Sequence, residues 1–374
     1  MPPKLTRAAS LLALLLLMQC VDPLRRNFDY DDNLLTVEGF ITDDSPVLVT
    51  VRNTRSTKST SFLQPISGAK VEVRSKQGLV LPLRETSNGV YESDPNFRGL
   101  AGETYSLHLD LLNGQKYVST EETLVPLRAE ASYSTVFNPR ISVTYQNFNQ
   151  QKISSLDVFA DFNDPADEQN YYFWQTRLFE QQNICLTCTN VEYNTRTQDC
   201  NPPPPSPPQP SIFYDYQCDG DCWEILGDER INIFSDALIN GKDVKGLLLR
   251  QVPFYNGRGA LLEVTQYNLS VGAYRYFERL KQQVETSGTF VDTPPAPPVG
   301  NIRNVNDAGE LVTGYFGAGG KSVQRIWLDR RNYPSPLIVS MLGREVLEAP
   351  RFDIIKVPCR ASSTRTPIKP IGWQ

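Results

Sequence analysis

Hydrophobic and polar residues alternate with a period of two along much of this chain, and that alternation predicts strands. Leu35-Thr-Val37-Glu-Gly39 and Val47-Leu-Val49-Thr-Val51 each place every second side chain on one face. Ala69, Val71 and Val73 alternate with Lys70, Glu72 and Arg74, the pattern of a half-buried strand with a charged outer face. In Tyr105-Ser-Leu-His-Leu-Asp-Leu111 the apolar residues share one face, and Ser106, His108 and Asp110 are predicted to meet solvent on the other. Asn88-Gly89 and Asn113-Gly114 separate such runs; Asn-Gly tolerates the positive φ angles of tight hairpin turns. Arg52 to Ser61 is rich in Thr, Ser and Arg and reads as a loop. About seven short strands over residues 34–125 predict an antiparallel β-sandwich.

A second, larger β-rich region follows over residues 126–374. Ile141-Ser-Val-Thr-Tyr145, Leu156 to Phe162 and Tyr171 to Leu178 alternate as strands, and Ile231 to Asp236, Gly246 to Leu249 and Ala260 to Thr265 add candidates. Alternation sends half of the aromatic group Tyr171, Tyr172, Phe173 and Trp174 into a core; the remainder could stack on a sugar or peptide. One helix is convincing. Ser270 can cap it, Val271, Tyr274, Phe277 and Val284 form its apolar stripe with Leu280 beside them, and Gly288 can end it. Its apolar face should pack on the second sheet. Residues 293–298, Thr-Pro-Pro-Ala-Pro-Pro, read as a rigid connector. Gly314-Tyr-Phe-Gly-Ala-Gly-Gly320 lacks the frame of a phosphate loop and reads as a turn entering a strand over Val323 to Leu328. The fold class is therefore mainly β: an N-terminal antiparallel sandwich, then a β-rich domain with one main helix and a disulfide-braced irregular insertion over residues 185–222.

The first twenty residues have a different character. Lys4 and Arg7 precede an apolar run from Ala8 to Met18, and Cys20 follows at once. That run is about half the roughly 20 residues needed to span a bilayer as a helix, so it reads as an export signal. Leu17-Met18-Gln19-Cys20 resembles a bacterial lipobox, which implies acylation of Cys20 and a lipid anchor. Gln19 departs from the small residue usual there; the alternative is an ordinary secretory signal with Cys20 near the cut. Residues 21–33 would be a polar tether.

Charge and chemistry narrow the function. With 37 basic and 42 acidic residues the net charge is −5, which supplies no positive field for nucleic acid. Of seven cysteines, Cys20 is the candidate lipid site, and Cys185, Cys188, Cys200, Cys218, Cys222 and Cys359 read as disulfide partners in an oxidising compartment. Their pairing stays open, although Cys359 should tie the tail back to the 185–222 region. Zinc is disfavoured because the Cys185–Cys188 and Cys218–Cys222 pairs are separated by a proline tract, Pro202 to Pro210, with no histidine near. The single histidine leaves no room for triads or histidine-metal chemistry away from His108. Asp161, Asp164, Asp167 and Glu168 have the close spacing of calcium ligands, but Pro165 interrupts and no glycine marks the sharp turn, so a solvated loop is the competing reading. No catalytic residue, cofactor or metal is expected.

Two resemblances add to this. Gly68-Ala-x-Val71-x-Val73, Gly89-Val-Tyr91, Gly99 to Gly102 and Tyr105-x-Leu107-x-Leu109 are similar to immunoglobulin-like, transthyretin-like modules, where these residues are scaffold. Cys20-Val-Asp-Pro23, Leu35 to Asp43, Phe234-Ser-Asp236 with Asn240-Gly-Lys242, Ala273-Tyr-Arg-Tyr276, Asn301-Ile302, Gly314 to Ala318 and Pro370-Ile-Gly-Trp373 form an ordered set spanning nearly the whole mature chain. That set resembles a family of Bacteroidota outer-membrane lipoproteins known as domain of unknown function 4249. The resemblance implies a lipid-anchored protein, non-enzymatic and at the outer face of the outer membrane. It would be accessory to a TonB-dependent transporter through substrate binding or docking. The alternative is a structural subunit of an envelope assembly or secretion complex; a carboxylate-based glycan hydrolase is a distant third.

Overall fold

The structure is a computed structural model that describes residues 34–374 except 57–60, 145–149, 201–211, 229, 286–297, 334–335 and 348–354. Cys20, the residue 21–33 tether, the whole Pro202–Pro210 tract and Gly288 lie outside the described residues. The N-terminal sandwich is built from β1 (Leu35–Ile41), β2 (Leu48–Ser56), β3 (Ser61–Pro65), β4 (Lys70–Ser75), β5 (Val80–Ser87), β6 (Val90–Glu92), β7 (Thr104–Asp110), β8 (Lys116–Ser119) and β9 (Glu122–Thr123). The alternation works as the pattern requires: Val37, Val49, Val71, Val73, Leu107 and Leu109 fill one core. Gly89 and Gly114 take φ of 71° and 85° in the turns after β5 and β7, the left-handed region that glycine enters without a Cβ clash.

The second region is a sandwich too. One sheet is β10 (Ser132–Thr144), β11 (Gln150–Asn163) and, from later in the chain, β19 (Asp243–Pro253). The chain continues through β12 (Tyr171–Gln181), β13 (Ile184–Thr189), β14 (Tyr193–Asn194), β15 (Asp199–Cys200), β16 (Phe213–Asp219), β17 (Trp223–Gly227), β18 (Asn232–Ser235), β19 (Asp243–Pro253) and β20 (Gly259–Asn268) to helix α1 (Val271–Glu285). The facing sheet has β12 at its centre, between β20 on one side and β17 with β18 on the other. Leu156, Val158 and Phe162 of β11 meet Tyr172, Trp174 and Leu178 of β12 in the core between them.

After α1 the chain turns back. β21 (Ile302–Asn304), β22 (Val312–Thr313) and β23 (Phe316–Ala318) all join the N-terminal sheet, and only then does β24 (Lys321–Asp329) pair with β20. Two short strands, β25 (Lys356–Pro358) and β26 (Arg365–Thr366), close the chain. β21 lies against β8 at one end of the twelve-stranded sheet, and β22 and β23 run parallel to β1 at the other. Residues 302–318, assigned from sequence to the second domain, thus complete the first. The physical gain is edge protection: unpaired β1 and β8 would expose backbone donors and acceptors, and the returning strands nearly close the sheet.

Four expectations need correction. Arg52 to Ser56, read as loop, extend β2 and pair with β3. The glycine run is no turn, because Phe316–Ala318 is a strand. Its small residues are needed where the ring of Phe40 crowds Gly317 and the Val37 carbonyl crowds Gly314, which also holds φ 89°. The helix stripe is only partly as expected: Tyr274, Phe277 and Leu280 pack, but Ala273 and Tyr276 are the buried residues, and Val271 and Val284 are exposed. Ala273, Tyr276, Phe277 and Leu280 also satisfy helical spacing, and the alanine permits close approach. Ser270 caps as expected, its Oγ accepting from the Ala273 N–H at 3.1 Å. Finally, the outer face of β4 and β7 is not freely solvated. Glu72 is buried under Lys70 and Arg74, at 2.6 and 3.0 Å, and their hydrogen bonds hold its carboxyl below the usual range. His108, across from Glu72, is half-buried, and burial pushes its pKa down.

Candidate functional site

The strand pleat that fills the two cores also decides what faces outward. Along β1, Val37 and Ile41 point into the first core, which turns Glu38 and Phe40 out. Along β12, Tyr172 and Trp174 enter the second core, which turns Tyr171, Phe173 and Gln175 out. Tyr267 on β20 lies beside Phe173. These two outward faces confront each other, and α1 covers one side of the gap with Tyr276, Phe277 and Leu280. What remains is a cleft of about 380 Å³ between the sandwiches, floored by Tyr315 and rimmed by Glu38, Thr50, Gln175, Thr42, Ser45 and Pro46.

The rings form a continuous chain. Phe40 meets Tyr267 edge-on at 5.2 Å, Tyr267 stacks on Phe173 at 5.8 Å, and Phe173 stacks on Phe277 at 4.6 Å. Phe277 contacts Tyr276 at 5.5 Å, which lies against Tyr315 at 5.1 Å. Offset and edge-to-face arrangements at these separations are favourable and rigid. Neither domain alone could build this wall.

Beneath the floor sits Glu122, buried on β9. It accepts hydrogen bonds from Ser270 Oγ at 2.6 Å and from the Tyr315 hydroxyl at 2.5 Å. Gly272 leaves room for that hydroxyl, which a Cβ would meet at 2.6 Å. One carboxylate therefore ties the first sandwich to the start of α1 and to the cleft floor. Burial pushes its pKa above the ordinary 4.5, against the pull of Ser270, Tyr315 and Asn301. The folded protein then holds this proton more tightly than the unfolded chain does. Wild-type stability contributed by Glu122 is present at low pH and is lost as pH rises from about 4.5 through the raised folded value. In paired thermal melts, the stability of wild type relative to Glu122→Gln should fall across that interval and level off above it. A difference that grows with pH would mean that the surrounding donors favour the anion instead.

The other predicted residues fall elsewhere. The cysteines pair as Cys185–Cys218, Cys188–Cys200 and Cys222–Cys359, and they brace a small sheet of β13, β16 and β25. Among the described residues, the one group of three that could hold a metal ion is Cys185, Cys222 and Cys359, all engaged in disulfides. The acidic loop does not converge. Asp161 accepts from Gly246 N–H, Asp164 from the Tyr172 hydroxyl at 2.7 Å, and Asp167 and Glu168 pair with Arg128 at 2.9 and 3.2 Å.

A family model described as a domain of unknown function, DUF4249, matches residues 21–325. The chain belongs to the DUF4249 family. The match takes in both sandwiches, α1 and the returning strands, hence every wall of the cleft. No curated protein matches the sequence.

Sequence reasoning singled out Phe173 and Phe277 but missed the cleft. The legible signal was a large aromatic at an outward position of two separate strands, Phe40 in β1 and Tyr267 in β20. Nothing in the pattern marks Glu122, which sits in a two-residue strand.

Proposed function

We propose that this DUF4249 protein is a lipid-anchored, non-catalytic binding protein of the bacterial outer membrane, and that it serves a TonB-dependent transporter by holding substrate in the interdomain cleft. The cleft carries the reading: its volume lies within the range of small-ligand sites, and its walls are pre-formed by stacked rings on two rigid sandwiches. The Leu17–Cys20 motif supplies the anchor, since several acyl chains retain a protein at a bilayer where one does not.

Two measurements test this. Radiolabelled palmitate should enter the wild-type chain, and Cys20→Ala should take up no label and move largely from the envelope to the soluble fraction. A pulldown of the acylated protein from membranes should retrieve a transporter. A Cys20→Ala variant that stays in the envelope refutes the anchor. A stable multi-protein complex containing no transporter and no small ligand would favour a structural subunit instead.

A further inference from the structure

The polar groups around the cleft are already committed to one another. Thr42 Oγ1 and Ser45 Oγ are 2.9 Å apart, the Tyr267 hydroxyl donates to Gln175 Oε1 at 3.3 Å, and Thr50 Oγ1 donates to Glu38 Oε2 at 3.5 Å. Tyr315 is held by Glu122. A sugar needs many free, directional partners, and this site offers mainly ring faces and edges. The ligand must therefore match a wall of six rings more than a hydrogen-bond pattern.

Charge sharpens the choice. Among the described residues, Glu38 is the sole ionisable acid or base lining the cleft besides the tyrosines, and its side chain is 57% exposed at the rim. No lysine or arginine is among the described residues that line it. Two cations flank the rim, Arg52 paired with Glu38 itself at 3.6 Å, and Lys321 with Asp44 at 3.4 Å and with the lining residue Ser45 at 3.1 Å. Burial, with the field of Glu38 behind it, pushes the Tyr276 phenol up to about 12. For Tyr267 burial again leads; Arg177 opposes it, and Asp44 and Glu263 add to it. Ring faces carry negative quadrupole density and attract cations, so rings and carboxylate act with the same sign. An anion entering among the rings would lose its water and face their negative density, with the Glu38 carboxylate at the rim.

We infer that the ligand of this cleft presents an aromatic ring together with a positively charged amine. This rests on the reading of the cleft as a substrate site. The ring inserts beside Phe173 and Tyr267, and the amine lies at the rim by Glu38. The cleft is at the small end of ligand sites, which suits one ring with a short appendage and excludes a large macrocycle. Such a group is borne equally by a free aromatic amine or by a short basic peptide.

The test uses the acylated full-length protein in detergent and calorimetric titration with probes that share one ring. Phenethylamine, benzyl alcohol and phenylacetate differ in charge, Ala-Phe-Lys amide places the same chemistry in a peptide, and maltotriose stands for sugars. Phenethylamine should bind about tenfold more tightly than phenylacetate. Glu38→Gln should bring that ratio near one, and Phe173→Ala should weaken every aromatic probe. Tyr267→Leu, at a partly exposed ring, repeats the test should Phe173→Ala fail to fold. Tighter binding of the peptide than of the free amine marks a peptide ligand, the reverse a small molecule, and both support the inference. Phenylacetate or maltotriose binding best, or none of the probes binding, overturns it. The substrate-site reading falls with it only if Phe173→Ala also leaves transporter-dependent uptake unchanged.

Discussion

Glu180→Ala should be the most damaging single substitution in the second sandwich, lowering stability by about 3–5 kcal/mol. Glu180, at the end of β12, and Arg330, just after β24, are both fully buried and form a two-point pair. Arg330 Nη1 donates to Glu180 Oε2 at 3.0 Å, and Nη2 donates to Oε1 at 2.5 Å and to the Pro253 carbonyl at 2.8 Å. Asn256 Nδ2 adds a further donor to Glu180 at 3.0 Å, and the guanidinium lies 5.3 Å from the Phe254 ring. Burial pushes the Glu180 carboxyl up, and the guanidinium and Asn256 offset only part of that. Removing the acid strands a cation in a dry core, where solvent cannot repay its lost hydration. The same reasoning predicts that the double substitution Glu180→Leu with Arg330→Met loses far less than either charge deletion. Denaturant titration of the three variants checks this. Equal losses in single and double variants would show that packing, and not charge, is what the pair contributes.

The second large effect is expected at Cys222–Cys359, whose partners are 137 residues apart in sequence. Chain-entropy reasoning assigns such a link about 5 kcal/mol, because the unfolded chain would otherwise explore a very long loop. Replacing both cysteines by alanine should release more than a loop. β25 pairs with β16 in parallel next to the bridge, β26 pairs with β17, and Trp373 packs against Trp223 at 5.8 Å and Trp327 at 5.1 Å. The double variant should melt roughly 10 °C lower. Its tail should be cut within residues 355–374 by a protease dose that spares wild type, and tryptophan emission should shift red as Trp223 is uncovered. Unchanged proteolysis would mean that the short strands hold the tail without help.

Both effects join positions distant in sequence, and that is where legibility ends. Val71, Val73, Leu107 and Leu109 announced their strands and their core because alternation is a local property. The Ser270 cap and the Asn-Gly turns were readable for the same reason: a cap or a turn is chosen by the few residues beside it. The helix was placed well and Tyr274, Phe277 and Leu280 pack as read, but its most buried positions were missed, since the face that buries depends on what it meets. Ala273 packs inward against the second sheet while the larger Val271 and Val284 stay in solvent. Glu122, Glu180 and Arg330 gave no signal, because each charge is acceptable only through a partner between 148 and 193 residues away.

From its sequence alone this protein is a β-rich member of its family, with two strand-forming regions, one capped helix and an oxidised cysteine cluster. Periodicity, composition and motif order act within a few residues and need no knowledge of the rest. Tertiary structure alone decided that residues 302–318 return to seal the first sheet, how the six cysteines pair, and that the outward rings of β1, β12 and β20 meet across a cleft. Those outcomes depend on which exposed edges and faces find one another when two sandwiches dock, and no short window of sequence holds both halves of such a contact.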